Sequence, residues 1–129
     1  VYIDRKNTRS AIKTIGTAAK NIQNGASLLV FPEGEITKYI TNDSVGKFKG
    51  GSFKIAQKAK CKIVPIAIIG AEDCYKAHHP FGKMYGGNVQ IDILPPYTRH
   101  ITETVSTNDM ASDVELLIRS YVNKKEGLK

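Results

Sequence analysis

The stretch Ser27-Leu28-Leu29-Val30-Phe31-Pro32-Glu33-Gly34 decides the fold of this chain. It begins as an apolar run of strand length and ends in a proline, a carboxylate and a glycine. Pro32 keeps Phe31 extended and ends any strand ladder there. Gly34 allows a sharp turn or a close backbone approach to a ligand. Glu33 is therefore expected at the mouth of a sheet, where open α/β folds bind their ligands.

Upstream of this stretch, Val1-Tyr2-Ile3 reads as a short strand that ends in the charged turn Asp4-Arg5-Lys6-Asn7. Ile12, Ile15, Ala19 and Ile22 recur at spacings of three and four, the stripe of an amphipathic helix, with Thr8 as its cap and Asn24-Gly25 as its stop. Downstream comes a loop of about a dozen residues, long for a compact α/β unit and a candidate functional loop. Gly50-Gly51-Ser52 then opens a helix with Ser52 as cap, Phe53, Ala56 and Ala59 facing inward and Lys54 and Lys58 together on the outer side. Residues 62–69 read as a continuous branched strand covered on both faces. Residues 71–79 fit either helix or irregular structure. Residues 88–94 form a further strand in which Val89, Ile91 and Ile93 alternate with polar residues, and Pro95-Pro96 ends it. Residues 109–123 close the chain as a helix, with Met110, Val114, Leu117 and Tyr121 on one face. This alternation predicts a mixed, largely parallel sheet flanked by helices, an α/β fold in a single domain over residues 1–129. Right-handed crossovers would set Arg5 and Glu33 at one edge of that sheet.

Composition narrows the function. The chain has 129 residues, 41% hydrophobic and 24% charged, enough for one core. The net charge of +7 points to anionic partners. Between Ser44 and Ala71 stand six lysines and no acid: Lys47, Lys49, Lys54, Lys58, Lys60 and Lys62. They form either a solvated face or a working anion-binding surface. Cys61 and Cys74 are too few for a disulfide scaffold and read as reduced intracellular thiols. The longest apolar stretch, residues 63–71, is too short to span a bilayer.

Few residues are placed for chemistry. Arg5, just past a strand end, can hold a phosphate by paired hydrogen bonds, or can be a surface arginine paired with Asp4 or Glu33. Glu33 can accept a substrate hydroxyl, or can form a salt bridge to a lysine or to Arg5. Glu35 adds a carboxylate, but no third ligand completes a metal site. The stretch Lys47-Phe48-Lys49-Gly50-Gly51-Ser52 reads either as an anion-binding device of free N–H groups and two lysines or as a simple helix start. Five positions beyond His78, His79 and His100 stand Lys83, Met84 and Val105, so no local His–Asp couple exists and the histidines read as surface or loop residues. No serine sits in a nucleophile elbow. The lysines are not interleaved with stacking aromatics, which argues against specific single-strand nucleic-acid binding.

Four motifs in order, Tyr2-Ile3-Asp4-Arg5, Phe31-Pro32-Glu33-Gly34, Phe48-Lys49-Gly50-Gly51 and Ile63-Val64-Pro65-Ile66, make the chain resemble the glycerolipid acyltransferases, closest to the 1-acylglycerol-3-phosphate type. The resemblance implies transfer of a fatty acyl group from a thioester donor, acyl-CoA or acyl carrier protein, to a hydroxyl of a lysophosphatidate-like acceptor, with no metal or other cofactor. It implies work at an anionic membrane surface, on the cytoplasmic face, peripheral or anchored by a segment outside this chain, and no nucleic-acid partner. It assigns Arg5 and Lys49 to the acceptor phosphate, Glu33 and Gly34 to the loop that holds the acceptor, and Pro32 and Pro65 to the shape of the site. Two departures bear on the acceptor: Glu35 and Ile36 stand where the family usually has threonine and arginine. The family's catalytic histidine and the aspartate five positions on do not occur here. The expectation is the C-terminal part of such an enzyme, inactive alone. A non-catalytic phospholipid-binding module and a basic nucleic-acid-binding domain are the competing readings.

Overall fold

A computed structural model describes residues 8–34, 45–76, 83–84 and 86–127. The first helix, α1 (Thr8–Gln23), ends where expected. Gly25 takes a left-handed φ of 94° that a side chain would resist, and the N–H groups of Asn24, Gly25 and Ala26 return to Lys20, Ile22 and Asn21 carbonyls. Thr8 is already helical and so is not the cap. Ala18 and Ala19 are buried, while Ile12 is 61% exposed and leaves the predicted stripe.

Residues 27–31 join no ladder among the described residues, and Leu29 and Phe31 are exposed. Their expected parallel partner, residues 1–3, lies outside the described set, as does Arg5. A strand is defined by its neighbour as much as by its own residues.

A four-residue 3-10 turn, Gly50–Phe53, leads into α2 (Lys54–Ala59). Ser52 sits inside the turn, and no side chain caps either element. Phe53, Ile55 and Ala59 are buried, and Lys54 and Lys58 face out as the spacing predicted. α1 packs on α2.

Strand β1 (Ile66–Ile69) follows, then α3 (Ala71–Cys74) and a small antiparallel pair, β2 (Tyr75–Lys76) with β3 (Lys83–Met84). Strand β4 (Gln90–Ile93) pairs antiparallel with β1, setting Ile66 opposite Ile93 and Ile68 opposite Ile91. Beyond it Ile63 and Tyr97 exchange two backbone hydrogen bonds. Both ladders among the described residues are therefore antiparallel.

The β1–β4 sheet is covered on one face. Ala67 and Ile69 are buried against α5 (Thr107–Glu126), whereas Ile66, Ile68, Ile91 and Ile93 are 38%, 45%, 63% and 74% exposed. The expectation of a strand buried on both sides fails here, because the period of two sends alternate side chains to opposite faces, and among the described residues α5 packs on one of them.

α4 (Arg99–Thr102) is a single turn. α5 is capped by Ser106, whose Oγ accepts the Asp109 N–H at 3.1 Å and donates to Asp109 Oδ2 at 2.6 Å, three residues ahead of the predicted start. Its buried face carries Met110, Ala111, Val114 and Val122, while Leu117 is exposed. The core gathers these with Val45, Phe48, Phe53, Ala67, Ile69, Tyr97 and Val105. A Cβ at Gly50 would collide with Asn108, so that glycine lets the helix come close. Among the described residues no helix is long and apolar enough to cross a membrane.

Candidate functional site

The decisive stretch ends in a β-turn. Gly34 N–H donates to Phe31 C=O at 3.2 Å, with Pro32 at the second position, where its fixed φ suits the turn, and Gly34 at the fourth with φ 74°. This is the turn that Pro32 and Gly34 predict.

What holds the turn is the strip of residues 45–49. Lys49 N–H donates to Pro32 C=O at 2.9 Å, and Gly46 N–H donates to Glu33 Oε2 at 3.2 Å. Pro32, Glu33, Gly34 and Lys49 are thus brought together. Glu33 is half-buried and Lys49 is exposed. One oxygen of Glu33 therefore has a structural duty, fastening its own turn to the neighbouring strip.

The strip is fastened on its other side by α5. Phe48 N–H donates to Glu115 Oε2 at 2.9 Å, and Arg119 Nη2 donates to Val45 C=O at 2.7 Å. Glu115 and Arg119 are themselves paired at 3.0 Å, one helical turn apart, with side chains only 21% and 24% exposed. Burial pushes the Glu115 carboxyl up. The Phe48 N–H and the Arg119 guanidinium outweigh it and hold the group below the usual glutamate range. Its charged form is stabilised in the folded chain, so this contribution is present at neutral pH and is lost as pH falls through the lowered value.

These contacts account for several of the N–H groups around residues 47–52 that the anion-binding reading takes as free. The N–H groups of Gly46, Phe48 and Lys49 go to Glu33, Glu115 and Pro32, and that of Ser52 goes to the Lys49 carbonyl at 3.1 Å. Backbone donors near a core are matched by acceptors inside the protein, and here a helix far along the chain supplies one. Glu115 and Arg119 went unrecognised in the sequence because a Glu-x-x-x-Arg spacing marks any helical ion pair.

The remaining expectations fall in different places. Pro65 is buried, and its carbonyl accepts the Leu94 N–H at 2.9 Å, which ties it to the sheet. His100 is buried at 8% exposure, not at the surface: its Nε2 lies 2.8 Å from the Cys61 carbonyl, which requires an Nε2–H donor, and its ring stacks on Tyr97 at 5.7 Å. Arg5, Glu35, Ile36, His78 and His79 lie outside the described residues. Cys61 and Cys74 are free thiols. Among the described residues no group of three or more histidine, cysteine, aspartate or glutamate side chains is placed to hold a metal ion.

Residues 1–69 match the family model described as Acyltransferase. The chain is similar to a probable 1-acyl-sn-glycerol-3-phosphate acyltransferase of Mycoplasma genitalium, 28% identical over 133 residues, across 97% of this chain and 48% of that protein. It is similar to human 1-acyl-sn-glycerol-3-phosphate acyltransferase alpha, 33% identical over 112 residues, across 85% of this chain and 36% of the human one. Its structure is similar to the crystal structure of the 1-acyl-sn-glycerophosphate (LPA) acyltransferase PlsC from Thermotoga maritima, with a TM-score of 0.73 at 22% identity, across 90% of this chain and 45% of that chain. At that identity the likeness concerns the fold, and it agrees with the α/β architecture expected from the sequence. The chain spans about half the length, or less, of these relatives.

Proposed function

Because the chain belongs to the acyltransferase family, we propose that it forms the acceptor-binding part of an enzyme that moves a fatty acyl group from a thioester to the free hydroxyl of 1-acylglycerol-3-phosphate. The observation that supports this most is the pinned turn: Glu33 and Lys49 are joined through Gly46 and Pro32 on two adjoining segments. A carboxylate suits a glycerol hydroxyl and an ammonium suits a phosphate, so the pair fits the two ends of such a headgroup. Arg5 is assigned to the same phosphate, Gly34 to the loop that holds the acceptor, and Pro32 and Pro65 shape the surroundings.

In the reaction, the acceptor oxygen bonds to the acyl carbonyl carbon, the carbon–sulfur bond breaks, and the donor leaves as a thiol. The task of this chain is to hold the hydroxyl where that attack is short and aligned. The base that takes the hydroxyl proton is assigned to a histidine–aspartate pair outside these residues. The donor is acyl-CoA or an acyl carrier protein thioester. All six lysines between Ser44 and Ala71 are exposed, which supports peripheral contact with an anionic membrane on its cytoplasmic face.

The test is binding of the 129-residue chain to neutral vesicles doped with 1-oleoylglycerol-3-phosphate or with the choline ester of the same lysolipid. Preference for the phosphate monoester is expected. Glu33→Gln keeps an oxygen for Gly46 N–H but loses the charge, and should weaken binding about tenfold. Lys49→Ala should do the same. Equal binding to both lysolipids, or indifference to either substitution, would reject the reading.

A further inference from the structure

We propose that Glu115 and Arg119 of α5 are positioning residues for the acceptor site, acting through the strip of residues 45–49 and not by touching the acceptor. This rests on the reading of Glu33 and Lys49 as acceptor-binding residues. The inference goes beyond the family match, which ends at residue 69.

The strip belongs to no helix or strand over residues 45–49, so no regular ladder fixes its course. Its backbone is instead held by two outside elements in alternation. From α5, Arg119 takes the Val45 carbonyl at 2.7 Å and Glu115 takes the Phe48 N–H at 2.9 Å. From the turn, Glu33 takes the Gly46 N–H at 3.2 Å and Pro32 takes the Lys49 N–H at 2.9 Å. Each contact from the helix lies next in the chain to one from the turn. A shift of the strip away from α5 must therefore move the donor that orients the Glu33 carboxylate and the residue that carries the Lys49 ammonium.

The pair is built to resist that shift. Glu115 uses one oxygen on Phe48 and the other on Arg119, and Arg119 Nη2 serves both Glu115 and Val45. Both side chains are mostly removed from solvent, where such charge-assisted bonds hold geometry best. Val45 and Phe48 are buried in the core that α5 completes, so the helix grips the strip by packing as well as by polar contacts. The site's geometry is thus delegated to a helix whose residues stand 67 and 74 positions from their backbone partners.

The experiment combines amide hydrogen exchange with lysolipid binding in the full 129-residue chain. Glu115→Ala should speed exchange at Gly46, Phe48 and Lys49 and weaken binding of 1-oleoylglycerol-3-phosphate about tenfold. Glu115→Gln retains the shape and the acceptor for Phe48 while losing the charge, and serves as the variant that keeps the fold. It should fall between the two. In the Glu33→Gln background the effect of Glu115→Ala on binding should shrink, because both act on one carboxylate. Asp113→Asn, on the same helix but paired with Tyr97 and Arg99, should leave binding unchanged. Unchanged exchange at the strip in the Glu115 variants overturns the proposal. So does faster exchange with unaltered binding, provided that Glu33→Gln weakens binding. If Glu33→Gln itself has no effect on binding, the acceptor reading fails instead, and the exchange data still decide whether α5 orders the strip.

Discussion

Tyr97 shows how one residue can join three elements. Its backbone bridges to Ile63, its ring lies against His100, and its phenol donates to Asp113 Oδ2 at 2.8 Å. Arg99 meets the same carboxylate oxygen at 3.1 Å. Burial, then the hydrogen bond to Asp113 and its charge, push the Tyr97 phenol up to about 12. A raised value means that the neutral phenol is favoured in the folded chain. Its contribution is complete below the ordinary phenol range and is lost as pH climbs through the raised value. In a spectrophotometric titration of the six tyrosines, Tyr97→Phe should delete an ionisation near pH 12. An unchanged alkaline curve would show that the phenol is not held this way. At this scale the sequence was readable wherever a residue acts on its own backbone, as Pro32 and Gly34 do. It was silent where a residue acts on a distant one, as Glu115 does on Phe48.

Among the elements, the caps and joints carry the stability that can be altered cleanly. Lys60 closes α2 in the left-handed region at φ 52°, its N–H bonded to the Ala56 carbonyl. Glycine adopts that conformation without the Cβ penalty, so Lys60→Gly should stabilise the chain by about 0.5–1 kcal/mol. Gly70 ends β1 at φ 81°, and a Cβ there would strike the Asn88 carbonyl. Gly70→Ala should cost about 2 kcal/mol or more, from strain and from displacement of the β4 approach. Thermal unfolding of the two variants checks both signs at once, and a shift in the same direction for both would contradict the account. Element types followed from period and punctuation. The helix stop at Asn24-Gly25 and the strand end at Pro95-Pro96 are local signals. Which face of each element is covered was not local. Ile12 and Leu117 sit on stripes that look continuous in sequence but are exposed.

For the whole molecule, the largest consequence is the open side of the β1–β4 sheet. Ile66, Ile68, Ile91 and Ile93 share that side by register, and Val64 and Val89 continue it along each strand, all of them exposed. An apolar patch of this kind, backed by a packed core, draws dyes, lipid or further protein onto itself. The isolated chain should bind anilinonaphthalene sulfonate in its folded state and self-associate as concentration rises. Ile93→Lys, at the most exposed of these positions, should reduce both dye fluorescence and sedimentation of aggregates without lowering the unfolding temperature. Loss of the fold on this substitution would mean that Ile93 is part of the core after all.

The sequence alone determined the turn at residues 31–34, the helix stop after α1, the outward lysines of α2, the strand alternation of residues 89–93 and the family. The first four rest on dihedral limits, periodicity or residue types within a few positions of one another, and the family on four motifs in order along the chain. Tertiary structure decided that β1 is half exposed, that His100 is buried, that Gly50 makes room for Asn108, and that Glu115 and Arg119 hold the strip beneath Glu33. Those outcomes depend on which surfaces and which unpaired backbone groups meet when distant segments pack, and no spacing along the chain specifies that meeting.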